Sequence, residues 1–380
     1  MKKKYGFLAA ATLAAGLLAA CGNDDASEKS GSSAEKQTTA EEKMIQDQLG
    51  RDVTIAKDPD RVVVGGILPY FSTWFVATNS TKEIVGMHPN SYNAASNSML
   101  AKMSPDVLKA STKFIQNGEV NVEELMNVDP QVYFEIANDT KSIEKLDEAG
   151  IPTVALQTVE VSDANPVETF NSWLKVTSEI KGGEALDRAD KYIDNVTLVK
   201  DEIDTKLKDV KKEDKPRVLV LHQHSDKSIV VAGQNLWGEY WVNETGGYDV
   251  VSGDGVQGQK EVNMEQIYKW NPDIIYITNF TETQPEDLFE NNISGQDWSD
   301  VKAVQDKKVY KVPLGIYRWF PPSGDAPLML KWMASHNQPE LFDYDMNKEI
   351  KTYYKDFYNY DVTDTDVEKI LHPSSDAAKQ

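Results

Sequence analysis

A phrase written twice sets the plan of this chain. The stretch Val120–Phe134 returns as Val262–Tyr276, and a single offset of 142 residues relates Glu123 to Glu265 and Pro130 to Pro272 (265 − 123 and 272 − 130). In each copy Asn121 or Asn263 is an N-cap candidate, a short amphipathic turn follows, and Pro130 or Pro272 stops it. The apolar run after the proline reads as a buried strand, so each copy is half of an α/β unit. A period this long with two copies points away from a solenoid and towards a duplicated lobe. The expectation is two similar α/β lobes with a ligand cleft between them.

The N-terminus reads as an address. Lys2, Lys3 and Lys4 precede an apolar run from Phe7 to Ala20 that is short for a membrane span, so residues 1–20 read as a signal peptide. The run ends Leu18-Ala19-Ala20-Cys21, which resembles the lipobox of bacterial lipoproteins, where the cysteine is lipidated and becomes the first mature residue. Cys21 is the sole cysteine, so a disulfide within the chain is excluded. Residues 21–45 are a polar tether without apolar period. Loss of the three lysines takes the formal net charge from −21 to about −24, which argues against nucleic acid or an anionic membrane surface as a partner held by charge.

The first lobe is expected over residues 46–165, with strands at Val62–Val64, Glu83–Gly86 and Thr153–Leu156. A helical segment over 166–214 interrupts the alternation. Its second helix, from Glu184 to Val210, places Leu186, Ala189, Ile193, Val196, Val199, Ile203, Leu207 and Val210 at spacings of three and four. At 1.5 Å per residue it runs about 40 Å, enough to act as a stiff spine between lobes. The second lobe is expected over 215–372, with strands near Arg217–Leu221, Ile229–Val231 and Lys308–Val312, and 373–380 as a frayed tail.

Catalytic signatures are missing. The sequence has no Gly-x-Ser-x-Gly elbow, no phosphate-binding loop and no His-Glu-x-x-His. Among its five histidines, His222 and His224 stand two apart at a strand end, so an extended chain points both to one side. They offer two imidazoles to a metal, or one lines the cleft while the other is solvated. His88, beside Met87, follows a strand and is either a ligand contact or structural. In the loop Gly315–Pro322, Tyr317, Arg318 and Trp319 set a cation between two aromatics, a wall suited to a planar anionic ligand. Trp237, Tyr240 and Tyr70 are further aromatic candidates, or plain core.

The lipobox, the opening Gly50–Ile55 followed by Pro59–Val63, the two Asn-x-Glu phrases, the long helix and the ending Val309–Pro313 together resemble the substrate-binding lipoproteins of ABC importers. The subgroup is that of ferric siderophores, haem and cobalamin, and the resemblance spans about Gly50 to Leu371. It implies two lobes with mostly parallel sheets joined by one long helix, a shallow inter-lobe cleft and little closure. It further implies that Glu123 and Glu265, one on each lobe, dock onto arginines of the permease. Expected partners are the permease, its ATPase, a small-molecule metal complex and the bilayer through Cys21, with the chain monomeric on the extracytoplasmic face of the membrane. No catalytic activity and no cofactor are expected. The expected solute is an iron complex, a ferric siderophore or haem; cobalamin, a nickel or cobalt chelate, and a lipid-anchored enzyme are the alternatives. His88, His222, His224 and Met87 are the weak candidates for touching a metal directly.

Overall fold

A computed structural model describes residues 41–158 and 163–378. The signal peptide, Cys21 and most of the tether lie outside them. The described chain opens with a hairpin of β1 (Glu42–Gln46) and β2 (Asp52–Ala56), which begins inside the stretch read as tether. The strands β3 (Val62–Val64) and β4 (Ile84–Met87) follow, then a small hairpin of β5 (Ile115–Gln116) and β6 (Glu119–Val120). With β7 (Val132–Ile136) and β8 (Thr153–Leu156), β3 and β4 make a parallel sheet in the order β4-β3-β7-β8. Val62, Val63 and Val64 are fully buried, which is why this strand reads as an unbroken apolar run rather than an alternation.

The second sheet is built from β9 (Arg217–His224), β10 (Ile229–Ala232), β11 (Tyr248–Asp249), β12 (Gln259–Val262), β13 (Ile274–Ile277) and β14 (Val309–Lys311). Its order is β12-β10-β9-β13-β14, with β11 beside the start of β9. The strands β9, β13 and β14 run parallel, while β10 runs antiparallel to both of its neighbours, β9 and β12.

The two copies of the phrase occupy equivalent places. Asn121 caps the helix Val122–Met126 by accepting from Glu124 N at 3.1 Å, and Asn263 caps Met264–Trp270 by accepting from Gln266 N at 3.0 Å. Each cap satisfies an orphan donor and contributes about 1 kcal/mol. The residue before each proline, Asp129 or Asn271, has positive φ, 52° and 37°. The strand that follows, β7 or β13, lies inside its sheet. An arginine at the start of the neighbouring strand completes each copy. Arg61 donates to the Val128 and Asp129 carbonyls, and Arg217 donates through Nε and Nη2 to the Trp270 carbonyl. Arg217 thus caps the last carbonyl of its short helix, while Arg61 holds the turn between its helix and Pro130.

The spine helix runs unbroken from Glu184 to Leu207, 24 residues or about 36 Å, and stops three residues short of the expected end. Its buried stripe is Ala185, Ala189, Tyr192, Val196, Val199 and Ile203. It packs on Tyr70–Thr78 and Pro166–Lys181 of the first lobe and on Ala326–Asn337 of the second. One core is shared by the lobes, a cluster that runs from Trp74 and Phe134 through Tyr192 to Trp241 and Tyr276. The other face of each sheet keeps its own cluster, around Phe114 and Tyr133 in the first lobe and around Leu219 and Trp298 in the second. The closing helices Met346–Tyr358 and Asp364–Leu371 return to the first lobe, with Tyr358 on Phe75 at 5.6 Å and Lys102 paired with Asp366 at 2.7 Å. A shared core of this kind resists hinge opening. The tail is not frayed as far as it is described. Ser375–Ala378 forms a 3₁₀ turn, and Ala377 is buried because its carbonyl caps Arg318.

Candidate functional site

In open α/β sheets ligands sit beyond the carboxyl ends of the parallel strands. In the second lobe those ends carry a continuous aromatic wall. His222, on β9, packs against Phe280 at 5.1 Å and Phe320 at 5.9 Å, and Trp237 meets Phe320 edge-on at 6.2 Å. Phe280 follows β13 and remains partly exposed, as do Trp237 and Tyr240 on the helix Trp237–Glu244. Arg318 lies behind this wall, its guanidinium 5.1 Å from the Phe280 ring centre.

Several polar atoms here have no partner among the described residues. The Nδ1 of His222, Nε1 of Trp237, Oδ1 of Asn279 and Nε of Arg318 are buried without a hydrogen bond to any of them. Buried polar groups are nearly always paired, so several orphans in one region point to something that pairs with them. Arg318 is 2% exposed; its Nη2 donates to Ala377 O at 2.9 Å, and its guanidinium also engages the Tyr317 hydroxyl. Near it Lys311 is also buried, with Nζ donating to the carbonyls of Thr281 and Thr283 at 2.6 and 2.8 Å. Burial, reinforced by the Arg318 charge, pushes the Lys311 ammonium down to about 7. Among the described residues neither cation makes an ion pair, although Asp287 and Glu282 lie near enough to Lys311 to offset part of its burial. Burial also holds His222 down at about 4, so its imidazole is neutral at ordinary pH.

Several expectations fail for physical reasons. His222 and His224 do not share a face. The pairing of β10 with β9 skips from Gln223 to Leu221, leaving His222 as a bulge. A bulge resets the alternation, so His222 meets Phe320 while His224 turns to the opposite face and meets Trp298 at 5.5 Å. His224 is then fully engaged, with Nδ1 on Thr283 Oγ1 and Nε2 on Gln296 Oε1. The aromatic sandwich around Arg318 is also core rather than wall. Residues 311–330 are all buried: Tyr317 packs on Phe71 of the first lobe at 5.4 Å, and Trp319 Nε1 donates to Asp325 at 3.0 Å. Tyr70 is core, fully buried on Phe134 with its hydroxyl 2.7 Å from Thr177 Oγ1. Met87 is fully buried in the core cluster that holds Tyr70 and Trp74.

On the first lobe His88 follows β4 and caps the helix Pro89–Ser96, its Nδ1 accepting from Asn90 N at 3.1 Å. That bond assigns its proton to Nε2 in the neutral form, which burial favours by lowering the pKa. Glu135, at the end of β7, was not expected. It is 2% exposed under Gly66, where a Cβ would lie 1.8 Å from its Oε1, and burial raises its carboxyl to about 7. Among the described residues no three His, Cys, Asp or Glu side chains assemble as a metal site. Glu123 and Glu265 are exposed at equivalent positions of the two short helices, neither in an ion pair among the described residues.

The family model for periplasmic binding proteins matches residues 72–314. The chain is 26% identical to the molybdate-binding protein MolA of Haemophilus influenzae, covering 83% of this chain and 91% of that one. It is 24% identical to an uncharacterized ABC transporter substrate-binding lipoprotein of Bacillus subtilis, covering 82% and 90%. Among solved structures, a periplasmic solute-binding protein of Veillonella parvula superposes with a TM-score of 0.76 at 31% identity, covering 87% and 97%. MolA bound to molybdate gives 0.70 at 22% identity, covering 84% and 99%. With two lobes, a spine helix and this match across most of its length, the chain belongs to the periplasmic binding proteins, the solute-binding components of ABC importers.

Proposed function

We propose that the chain captures a small, oxygen-rich anionic metal complex in the inter-lobe cleft and hands it unchanged to a permease. The observation that carries this reading is the buried Arg318, with a free Nε, backed by Lys311 and fronted by His222 and by Trp237, whose indole Nε1–H has no acceptor among the described residues. Groups of this kind want an acceptor-rich anion, and the rings of Phe280 and Phe320 suit an organic chelator. A ferric chelate meets both demands, so an iron complex is the favoured solute. Of the five arginines, Arg51, Arg61, Arg188 and Arg217 serve the scaffold, which leaves a lone guanidinium near the wall and favours a complex of modest charge. A bare oxyanion is the second reading, favoured by the likeness to a protein named for molybdate.

Titration with a ferric catechol complex, haemin and sodium molybdate, followed by tryptophan fluorescence, separates these. The ferric complex is expected to bind, and Trp237→Phe, which keeps the ring and deletes the donor, is expected to cost about 1.5 kcal/mol, or roughly tenfold in Kd. Saturable binding of molybdate alone moves the assignment to the second reading; no effect of Trp237→Phe on any bound probe removes the wall from recognition.

The anchor belongs to the same proposal. Lipidation of Cys21 would hold the chain at the extracytoplasmic face, as a monomer beside the permease and ATPase. Cys21→Ser is expected to move it from the membrane fraction to the soluble fraction; a variant that stays membrane-bound refutes the lipid anchor.

A further inference from the structure

A groove of about 600 Å³ lies between the spine helix, Ala326–Asn337 and Met346–Tyr358, away from the short helices that carry Glu123 and Glu265. Its floor is apolar, made by Val199, Leu328, Tyr353 and Phe357, and Leu198 at its rim is 68% exposed. Three exposed carboxylates follow one side at Asp187, Asp190 and Asp194, and Asp356 faces the groove from the opposite helix. None of the four makes an ion pair among the described residues. The lysines of the groove are engaged: Lys191 donates to Asp356 O at 2.6 Å and lies over Phe357, while Lys331 pairs with Glu349 at 2.6 Å.

We propose that this groove docks a cationic amphipathic helix of a protein partner. Asp187, Asp190 and Asp194 span about two helical turns, or roughly 10 Å. Lysines or arginines at i, i+3 and i+7 of a partner helix repeat that spacing, while its apolar stripe covers Leu198, Leu328 and Phe357. The charge complementarity is local, since five carboxylates, Asp187, Asp190, Asp194, Glu349 and Asp356, line the groove beside its apolar floor against two lysines, Lys191 and Lys331. The inference is independent of the solute and of the permease-docking glutamates.

The test is fluorescence anisotropy with a fluorescein-labelled helical peptide that carries leucines on one face and lysines on its flanks. Binding is expected to weaken about tenfold or more in Asp190→Lys/Asp194→Lys/Asp356→Lys, and several-fold in Leu198→Ser. It is also expected to weaken with added salt. Reversing three exposed glutamates elsewhere, Glu144, Glu148 and Glu261, changes the net charge equally and is expected to leave Kd within about twofold, because those charges lie outside the docking site. Absent binding, or equal loss in both triple variants, overturns the proposal, the latter by showing attraction to net charge alone. Spermine binding that depends on the three aspartates but not on Leu198, with no peptide binding, also overturns it and reassigns the groove to small polyamines.

Discussion

Replacement of both Glu123 and Glu265 by alanine is expected to abolish uptake while leaving solute affinity within about twofold. Both carboxylates stand at the second position of a short, Asn-capped helix, exposed and without an ion pair among the described residues, one on each lobe. A helix N-terminus favours a carboxylate, but by about 0.3–1 kcal/mol, which any acid in the first turn supplies. A stronger use is a two-point latch. Close interfacial charge pairs couple by about 1.5 kcal/mol or more each, so losing two costs at least about 3 kcal/mol, or more than 100-fold in complex formation. The spine and shared core hold the two points at a fixed separation, which a two-point latch requires. The checking measurements are whole-cell uptake of the radiolabelled solute and titration of the purified variant. Preserved uptake sinks the latch, and a large loss of affinity would place these groups in the solute site. Glu124→Ala is the internal control, since its counterpart is Gln266 and no symmetric partner exists.

The repeat was legible because its signals are local. An asparagine cap, a proline stop and an apolar strand are each set by a few neighbouring residues, and the structure turns both copies the same way. The spine was legible for the same reason, since the 3.6-residue period needs no tertiary information. The wall was harder to read. A bulge at His222 depends on how β10 pairs with β9, and a shift of one residue sends His224 to the opposite face. Arg318 and its aromatic neighbours look alike in sequence whether they face a cleft or a core. What decides is that residues 311–330 pass between the lobes, where Tyr317 and Trp319 find Phe71 and Asp325. Phe280 carries a usable signal in its place just after the strand of the second copy, where strand ends face ligands.

Asp325→Ala is expected to lower unfolding free energy by about 4 kcal/mol or more, read by urea denaturation. The carboxylate is fully buried and accepts four hydrogen bonds: Ile316 N at 2.9 Å and Trp319 Nε1 at 3.0 Å from the inter-lobe loop, Tyr354 Oη at 3.2 Å and Tyr358 Oη at 3.0 Å from a closing helix. Each buried donor left orphaned costs about 1–3 kcal/mol, and water entering the vacated volume recovers only part of that. Burial raises this carboxyl to about 6, against the pull of its four donors. The folded pKa therefore lies above the unfolded value of 3.8, so the native state binds the proton more tightly. The stability this supplies is full below about pH 3.8 and is lost as pH rises through 6. Asp325→Asn cannot titrate, so the wild type is expected to gain about 1 kcal/mol relative to it between pH 7 and pH 5. A difference that stays flat, or falls, over that interval would mean that the four donors outweigh burial and keep the carboxylate charged.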